Sequence, residues 1–458
     1  MEKIIKTEYG LVSGLDTPIC DKYLGIPFAK PPIGELRFKH PQKCDKWEGI
    51  YKATSGSHNP IQAPSSYEYK YTSEDCLYLN IFVPKNIDKP LPVTVWIYGG
   101  SYANGGIGCM EEKGEFVHDD LGVFCNETNT VAVSINYRVN MFGFFNFHAL
   151  DERFDINNGL YDLKMGLEFV RDNIAAFGGD QTNITVFGES AGGALTLALL
   201  SSPLTSNLFQ KAIVQSPCVE HFWTYEKGKK VALTFIKKAK IKSNDIYRGI
   251  LDMSNQTFRY AYDKTMRKFL LRGELTSLSS PIIDGIFLKE QPCLEVINKT
   301  HPLLIGFTKD EGDIFVRDIS PLILRLMKFV VPYKIEKIKG RTFRECASIG
   351  LGNYVFKEPV LKIASSYIGK VWVYEYNHIS AECKKLNIRS SHASELAPLF
   401  KMDMAFGKAN DSDLILIGEW MRKLWKKIPY DEMDYKTYKE SKEIIEISKE
   451  KILEEKSK

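Results

Sequence analysis

The chain has 458 residues, 44% hydrophobic and 26% charged, and 61 basic against 57 acidic side chains leave a formal net charge of +4. Such a composition is that of an ordinary globular chain with ample material for a large core. The positive excess is small and dispersed, which argues against nucleic acid or a membrane surface as the main partner.

The opening, MEKIIKTEYGLVSGLDTP, contains no apolar run of signal-peptide length, and no later stretch reaches the length of a membrane helix. The longest candidate, Pro321–Tyr333, carries Arg325 and Lys328. Nine cysteines are scattered without a CxxC pair, which predicts a reducing compartment and hence the cytoplasm. On that reading the Asn-X-Ser/Thr triplets at Asn126, Asn183, Asn255, Asn298 and Asn410 are chance occurrences rather than glycosylation sites. No feature dictates an oligomer, and a monomer is the expectation.

Short β-rich runs follow one another: Leu79–Val83, Val93–Ile97, Val131–Asn136, Ile184–Phe187, Ala212–Gln215, Leu303–Gly306 and Val371–Tyr376. Being almost wholly apolar, they predict strands buried on both faces. Between the third and fourth, GLYDLKMGLEFVRDNIAAF spaces Leu160, Leu163, Leu167, Val170 and Ile174 as one face of a crossover helix. Strand, helix and strand in that order give an α/β chain with a mostly parallel sheet, expected to form a single domain over residues 1–458. Helical insertions are expected at about 225–278 and 315–357, as walls or a lid of a cleft or as packing helices, with Phe315–Tyr333 either lid or core. From about residue 436 the Lys/Glu-rich end, KESKEIIEISKEKILEEKSK, predicts a solvated helix or tail with a weak stripe at Ile445 and Ile452.

Three places along this order carry chemistry. Behind the second run, WIYGGSYANGG offers backbone N–H groups to an anion, either a phosphate or an oxyanion. After the fourth run, NITVFGESAGGALTLALL sets Ser190 between Gly188 and Gly192, with a strand before and an apolar helix after, the context of a nucleophilic serine on a sharp turn. Such a serine needs a base and an acid later in the chain. His221, His301, His378 and His392 are the histidines that follow, and position leaves His378 and His392 both open. PLLIGFTKDEGDIF supplies the acid, as Asp310 or Glu311. There is no HExxH, the eight histidines do not cluster, and neither a Walker sequence nor GxGxxG is present, so no metal and no cofactor is expected.

SEDCLYLNIFVP (73–84) and VFGESAGG (186–193) closely resemble the two signatures of type B carboxylesterases, α/β-hydrolases that include the cholinesterases. Within that family the character is that of bacterial intracellular carboxylesterases. The likeness extends through YLGIPFAKPPIGELRF, SINYRVNMFGF, NIAAFGGDQTNITVF, PIIDGIFL and GFTKDEG, from about Tyr9 to beyond His392. It implies an α/β-hydrolase fold and a serine esterase acting on small-molecule esters, with Ser190 as nucleophile, Glu311 as acid and His392 of H-x-x-E-L as base. It also makes Tyr98-Gly99-Gly100-Ser101-Tyr102 the oxyanion turn, with the N–H groups of Gly100, Ser101 and Ala191 as donors and Glu189 as a supporting carboxylate.

Departures from the family pattern are equally specific. Pro60 stands about where a cysteine usually pairs with the one in EDCL, so Cys76 is expected to be a free thiol. The same short segment lacks the tryptophan that would hold a quaternary ammonium, leaving Tyr67, Tyr69 and Tyr71 as aromatic alternatives. Pro217 in QSPC replaces a common glycine near the acyl pocket. A non-catalytic binding protein, or a lipase, thioesterase or amidase with the same triad, are the alternative readings.

Overall fold

The computed structural model describes residues 3–62, 72–108, 120–218, 222–242, 245–270, 277–327 and 334–457. Its centre is a ten-stranded sheet. In chain order the strands are β1 (Leu15–Asp16), β2 (Cys20–Pro27), β3 (Tyr78–Pro84), β4 (Leu91–Ile97), β5 (Val131–Ile135), β6 (Gly179–Glu189), β7 (Lys211–Gln215), β8 (Leu303–Thr308), β9 (Val371–Tyr376) and β10 (Ile444–Ile447). Across the sheet they run β10-β9-β8-β7-β6-β4-β5-β3-β2-β1. All pairs from β5 to β10 are parallel, and β3, β2 and β1 add an antiparallel flank.

All seven runs read as strands from the sequence form strands here, some a residue or more longer and the third one residue shorter, ending at Ile135 rather than Asn136. Every residue of β4, β5, β7 and β8 is buried, as two-sided coverage by helices requires. The crossover helix, α1 (Asn158–Asn173), buries Leu160, Leu163, Leu167 and Val170. Ile174 lies in the 3-10 turn that continues it and is buried too. A second helix, α2 (Ala191–Ser201, AGGALTLALLS), is buried at every residue, because its sequence is apolar on all sides. Aromatic rings lock the layers together: Trp96 of β4 and Phe187 of β6 meet at 4.9 Å, and both meet Phe400.

Residues 225–278 supply helices Tyr225–Lys238, Ile246–Leu251 and Asn255–Leu270, which share a separate apolar cluster with Phe142, Phe145 and Phe147. Arg37 ties this layer down. Its guanidinium donates to Glu74 of the SEDC motif and to the carbonyls of Leu251 and Met253. The 315–357 stretch supplies α3 (Pro321–Met327) and α4 (Phe343–Gly352).

Two expectations need correction. The end of the chain is not a helix or tail alone: Ile444–Ile447 forms β10, parallel to β9, and a helix at Lys449–Lys456 follows. Ile445, Ile447 and Ile452 are buried, so the stripe has a strand's period as well as a helix's. The core reading of Phe315–Tyr333 holds only in part among its described residues: Val316 and Leu324 are buried, but Leu322, Ile323 and Leu326 are 70%, 55% and 59% exposed. Residues 328–333 lie outside the described residues, as do Tyr67, Tyr69, Tyr71 and His221.

Candidate active site

Strand order reverses at β4, with β5 on one side and β6, reached through α1, on the other. Loops leaving the carboxyl ends of β4 and β6 therefore part in opposite directions and open a crevice, the usual place for a ligand in such a sheet. Ile97 and Gly188 are register partners, so the glycine turn after β4 and the serine turn after β6 start side by side.

Backbone geometry explains the glycines. Ser190 has φ 56° and ψ −121°, a strained conformation held by its N–H donating to the Gln215 carbonyl of β7 at 2.9 Å. A Cβ at Gly188 would stand 2.6 Å from the Gly192 backbone, and one at Gly192 would stand 2.1 Å from the Ile97 carbonyl. One at Gly99 would meet the Glu189 carbonyl at 2.8 Å. Both turns therefore pack backbone against backbone, with no room for a side chain between them.

The oxyanion turn is anchored by a reciprocal pair. Tyr98 Oη donates to the Tyr137 carbonyl at 2.7 Å, Tyr137 Oη donates to the Tyr98 carbonyl at 2.8 Å, and the rings stack at 4.3 Å. Beyond it Gly100, Ser101 and Tyr102 all have positive φ, of 108°, 56° and 59°. Ser101 thus holds a left-handed conformation that glycine would adopt without strain, and its side chain is exposed. Among the described residues no hydrogen bond occupies the N–H of Gly100, Ser101 or Ala191.

Downstream, the alternatives separate. His392 Nε2 lies 2.8 Å from Ser190 Oγ, and its Nδ1 lies 2.5 Å from Glu311 Oε2. Glu311 is fixed in turn by the Thr308 N–H donating to Oε1 at 2.8 Å. Asp310 points elsewhere, into an ion pair with Arg389 at 2.7 Å that Asp313 shares at 2.6 Å. His301 bonds the Ser206 carbonyl, and burial holds the His378 imidazole below its ordinary pKa, with Asp413 among the groups around it.

Glu189 approaches the same imidazole, with Oε1 3.2 Å from Nε2. Burial raises the Glu189 carboxyl to about 7, the His392 imidazole opposing and Glu311 adding to the rise. Sequence reasoning quoted Glu395 only as part of H-x-x-E-L and gave it no role. It is fully buried, neither carboxylate oxygen has a hydrogen-bond partner among the described residues, and burial, then Glu189 and Glu311, push it to about 8. Burial alone would lower the His392 imidazole, but Glu189 and Glu311 outweigh it and raise it to about 9.

Phe356 and Phe315, at 4.7 and 5.3 Å from the His392 ring, wall the imidazole and stack on each other. Nothing in the sequence pattern marked them, since single aromatic residues inside helical stretches carry no periodic signal. Cys218 lies near the triad, but burial and the Glu311 and Glu189 carboxylates drive its thiol pKa upward, so the thiol stays protonated. Cys76 is a buried free thiol, as the missing partner at Pro60 implied. Among the described residues no group of three or more His, Cys, Asp or Glu side chains is placed to hold a metal ion.

Comparison with known proteins identifies the family. A family profile described as the carboxylesterase family matches residues 1–339. The para-nitrobenzyl esterase of Bacillus subtilis (strain 168) is 33% identical, over 82% of this chain and 78% of its own, and gut esterase 1 of Caenorhabditis briggsae is 35% identical, over 87% and 79%. Among solved structures, a thermophilic PNB esterase superposes with a TM-score of 0.84 at 29% identity, covering 98% of this chain and 96% of its own. A carboxylesterase of Geobacillus stearothermophilus gives 0.80 at 28%, with 97% and 96% covered. Crevice, strained serine turn and sequence likeness converge: the chain belongs to the carboxylesterase family and is a carboxylic ester hydrolase of the α/β-hydrolase fold.

Proposed function

We propose that the enzyme works through an acyl-serine intermediate, with Ser190 as nucleophile, His392 as general base and Glu311 as the acid that orients it. The continuous chain from Ser190 Oγ through both ring nitrogens of His392 to Glu311 carries this reading. His392 takes the Ser190 proton as Oγ attacks the ester carbonyl, and the imidazolium then protonates the departing alcohol. Water, activated by the same imidazole, cleaves the acyl-serine and releases the acid. Glu311 holds the Nδ1–H tautomer and stabilises the imidazolium.

The N–H groups of Gly100, Ser101 and Ala191 receive the tetrahedral oxyanion, each such donor contributing roughly 3 kcal/mol to the transition state. Glu189 supports the imidazolium electrostatically. A para-nitrobenzyl ester, its hydrolysis followed by chromatography of the released alcohol, is the first substrate to assay, given the relative of that name. We place the enzyme in the cytoplasm, in keeping with eight described cysteines that are all free; no helix among the described residues is long and apolar enough to cross a membrane. A fluorophosphonate probe should label the native protein stoichiometrically and leave Ser190→Ala unlabelled. Absence of labelling on folded native protein would end the acyl-serine reading.

A further inference from the structure

The helix α3 is inverted relative to the usual surface helix. Leu324 turns inward onto Val316 and Ala347, while Leu322, Ile323 and Leu326 occupy the opposite arc and face solvent. Ile335 packs on the same small cluster, and Lys334, Lys337, Ile338 and Lys339 flank it closely in the chain. Ile338 is itself 40% exposed. Arg344 donates to the carbonyls of Val316, Arg317 and Ile319, so the approach to α3 is braced from below.

Charge on this face is predominantly positive. The acids Asp318 and Glu345 are already paired with Arg317 and Arg341. Arg325, Lys334, Lys337 and Lys339 have no ion-pair partner among the described residues, and Glu336 is the single remaining acid of this stretch. The face also adjoins the catalytic crevice: Phe315, 44% exposed, precedes Val316 of the cluster under α3, and its ring lies 5.3 Å from His392.

We propose that Leu322, Ile323 and Leu326, with the cations around them, dock the enzyme on anionic lipid surfaces, and that its substrates include acyl esters held in such a surface. Apolar side chains enter the acyl boundary while lysine and arginine heads pair with anionic headgroups, the combination that holds peripheral helices at an interface. A second copy of the chain fits this face poorly, because it would set the same cations against one another and because lysine is depleted where proteins meet proteins. The substrate part rests on the ester-hydrolase reading, whereas the docking part stands without it.

Co-sedimentation tests the docking, using the full chain and phosphatidylcholine vesicles with or without about one third phosphatidylglycerol. The native protein should pellet with the anionic vesicles, weakly with the neutral ones, and less as salt rises from about 0.05 to about 0.5 M. Lys334→Glu with Lys337→Glu should weaken that binding by at least about 30-fold. Leu322→Ser with Leu326→Ser should abolish salt-resistant binding, and hydrolysis of a long-chain chromogenic ester carried in the vesicles should fall in parallel. Turnover of a soluble short-chain ester, unchanged in both variants, reports separately on the esterase reading and on folding. The proposal is overturned if native protein ignores anionic vesicles or if the charge-reversed variant binds them equally. It is also overturned if sedimentation equilibrium shows a native dimer that the serine variants dissociate.

Discussion

A single step along the chain separates Asp310 from Glu311, and the two carboxylates have unrelated work. Glu311 meets His392, whereas Asp310 meets Arg389. Glu311→Gln should therefore lower kcat by roughly 10³–10⁴-fold at unchanged thermal stability, while Asp310→Asn should lower stability and leave kcat within a few-fold. Steady-state kinetics and thermal melts on both variants decide it, and equal kinetic effects would sink the assignment. Position and spacing in the sequence left both pairs of candidates, Asp310 or Glu311 and His378 or His392, open. What separates them is which side of a loop faces the crevice, a property of tertiary packing that no local pattern encodes. Glu189 gives a second test, through pH. Its carboxylate helps raise the His392 imidazole to about 9, and only neutral imidazole can accept the serine proton. In Glu189→Gln that upward pull is gone, so the acid limb of the kcat/KM profile should move to lower pH while the plateau rate drops. An unmoved limb would mean that Glu189 does not act on the imidazole.

Among the elements, legibility followed burial. Strands covered on both faces announce themselves as apolar runs, and β3 to β9 were readable for that reason. β10 was hidden because its residues alternate: Ile445 and Ile447 are buried and Glu446 between them is exposed, inside a stretch whose lysines and glutamates dominate any window average. Four residues of alternation are too few to outweigh that background. The strand nonetheless covers the edge of β9 over Val373–Tyr376, and Ile447 is fully buried. Ile447→Ala should cost about 2–4 kcal/mol, seen as a lower denaturation midpoint at constant m value. A surface tail would show no change, and that outcome would remove β10 from the fold. The motif regions were legible for a different reason. Arg37 and Glu74, far apart in sequence, each lie in a recognisable motif, and the fold brings them into a hydrogen-bonded pair.

At the scale of the whole molecule, averages concealed what mattered. A net charge of +4 over 458 residues says little, yet the stretch around α3 holds cations with no ion-pair partner among the described residues beside exposed leucine and isoleucine. Composition describes a sum, and recognition depends on its distribution. The site itself is assembled from distant parts, with Ser190, Glu311 and His392 borne on loops after β6, β8 and β9. Only the complete sheet brings them together, so activity should disappear in step with cooperative unfolding rather than before it.

The backbone-to-backbone packing of the two turns has a consequence for how the protein tolerates change. A saturation-mutagenesis scan read out on ester turnover should trace the crevice in negative, as a cluster of glycines at which even alanine is lethal to function: Gly99, Gly188, Gly192 and Gly193, the last 2.7 Å from the Gln215 carbonyl by its absent Cβ. Gly34, Gly49, Gly285 and Gly340 present the opposite case, a positive φ with nothing within 4 Å, so alanine there should survive at a cost of about 1 kcal/mol. If the two groups tolerate alanine equally, the packing described for the crevice is wrong. If they differ, evolution cannot reshape the oxyanion turn one side chain at a time, and new substrate ranges must arise from the surrounding helices.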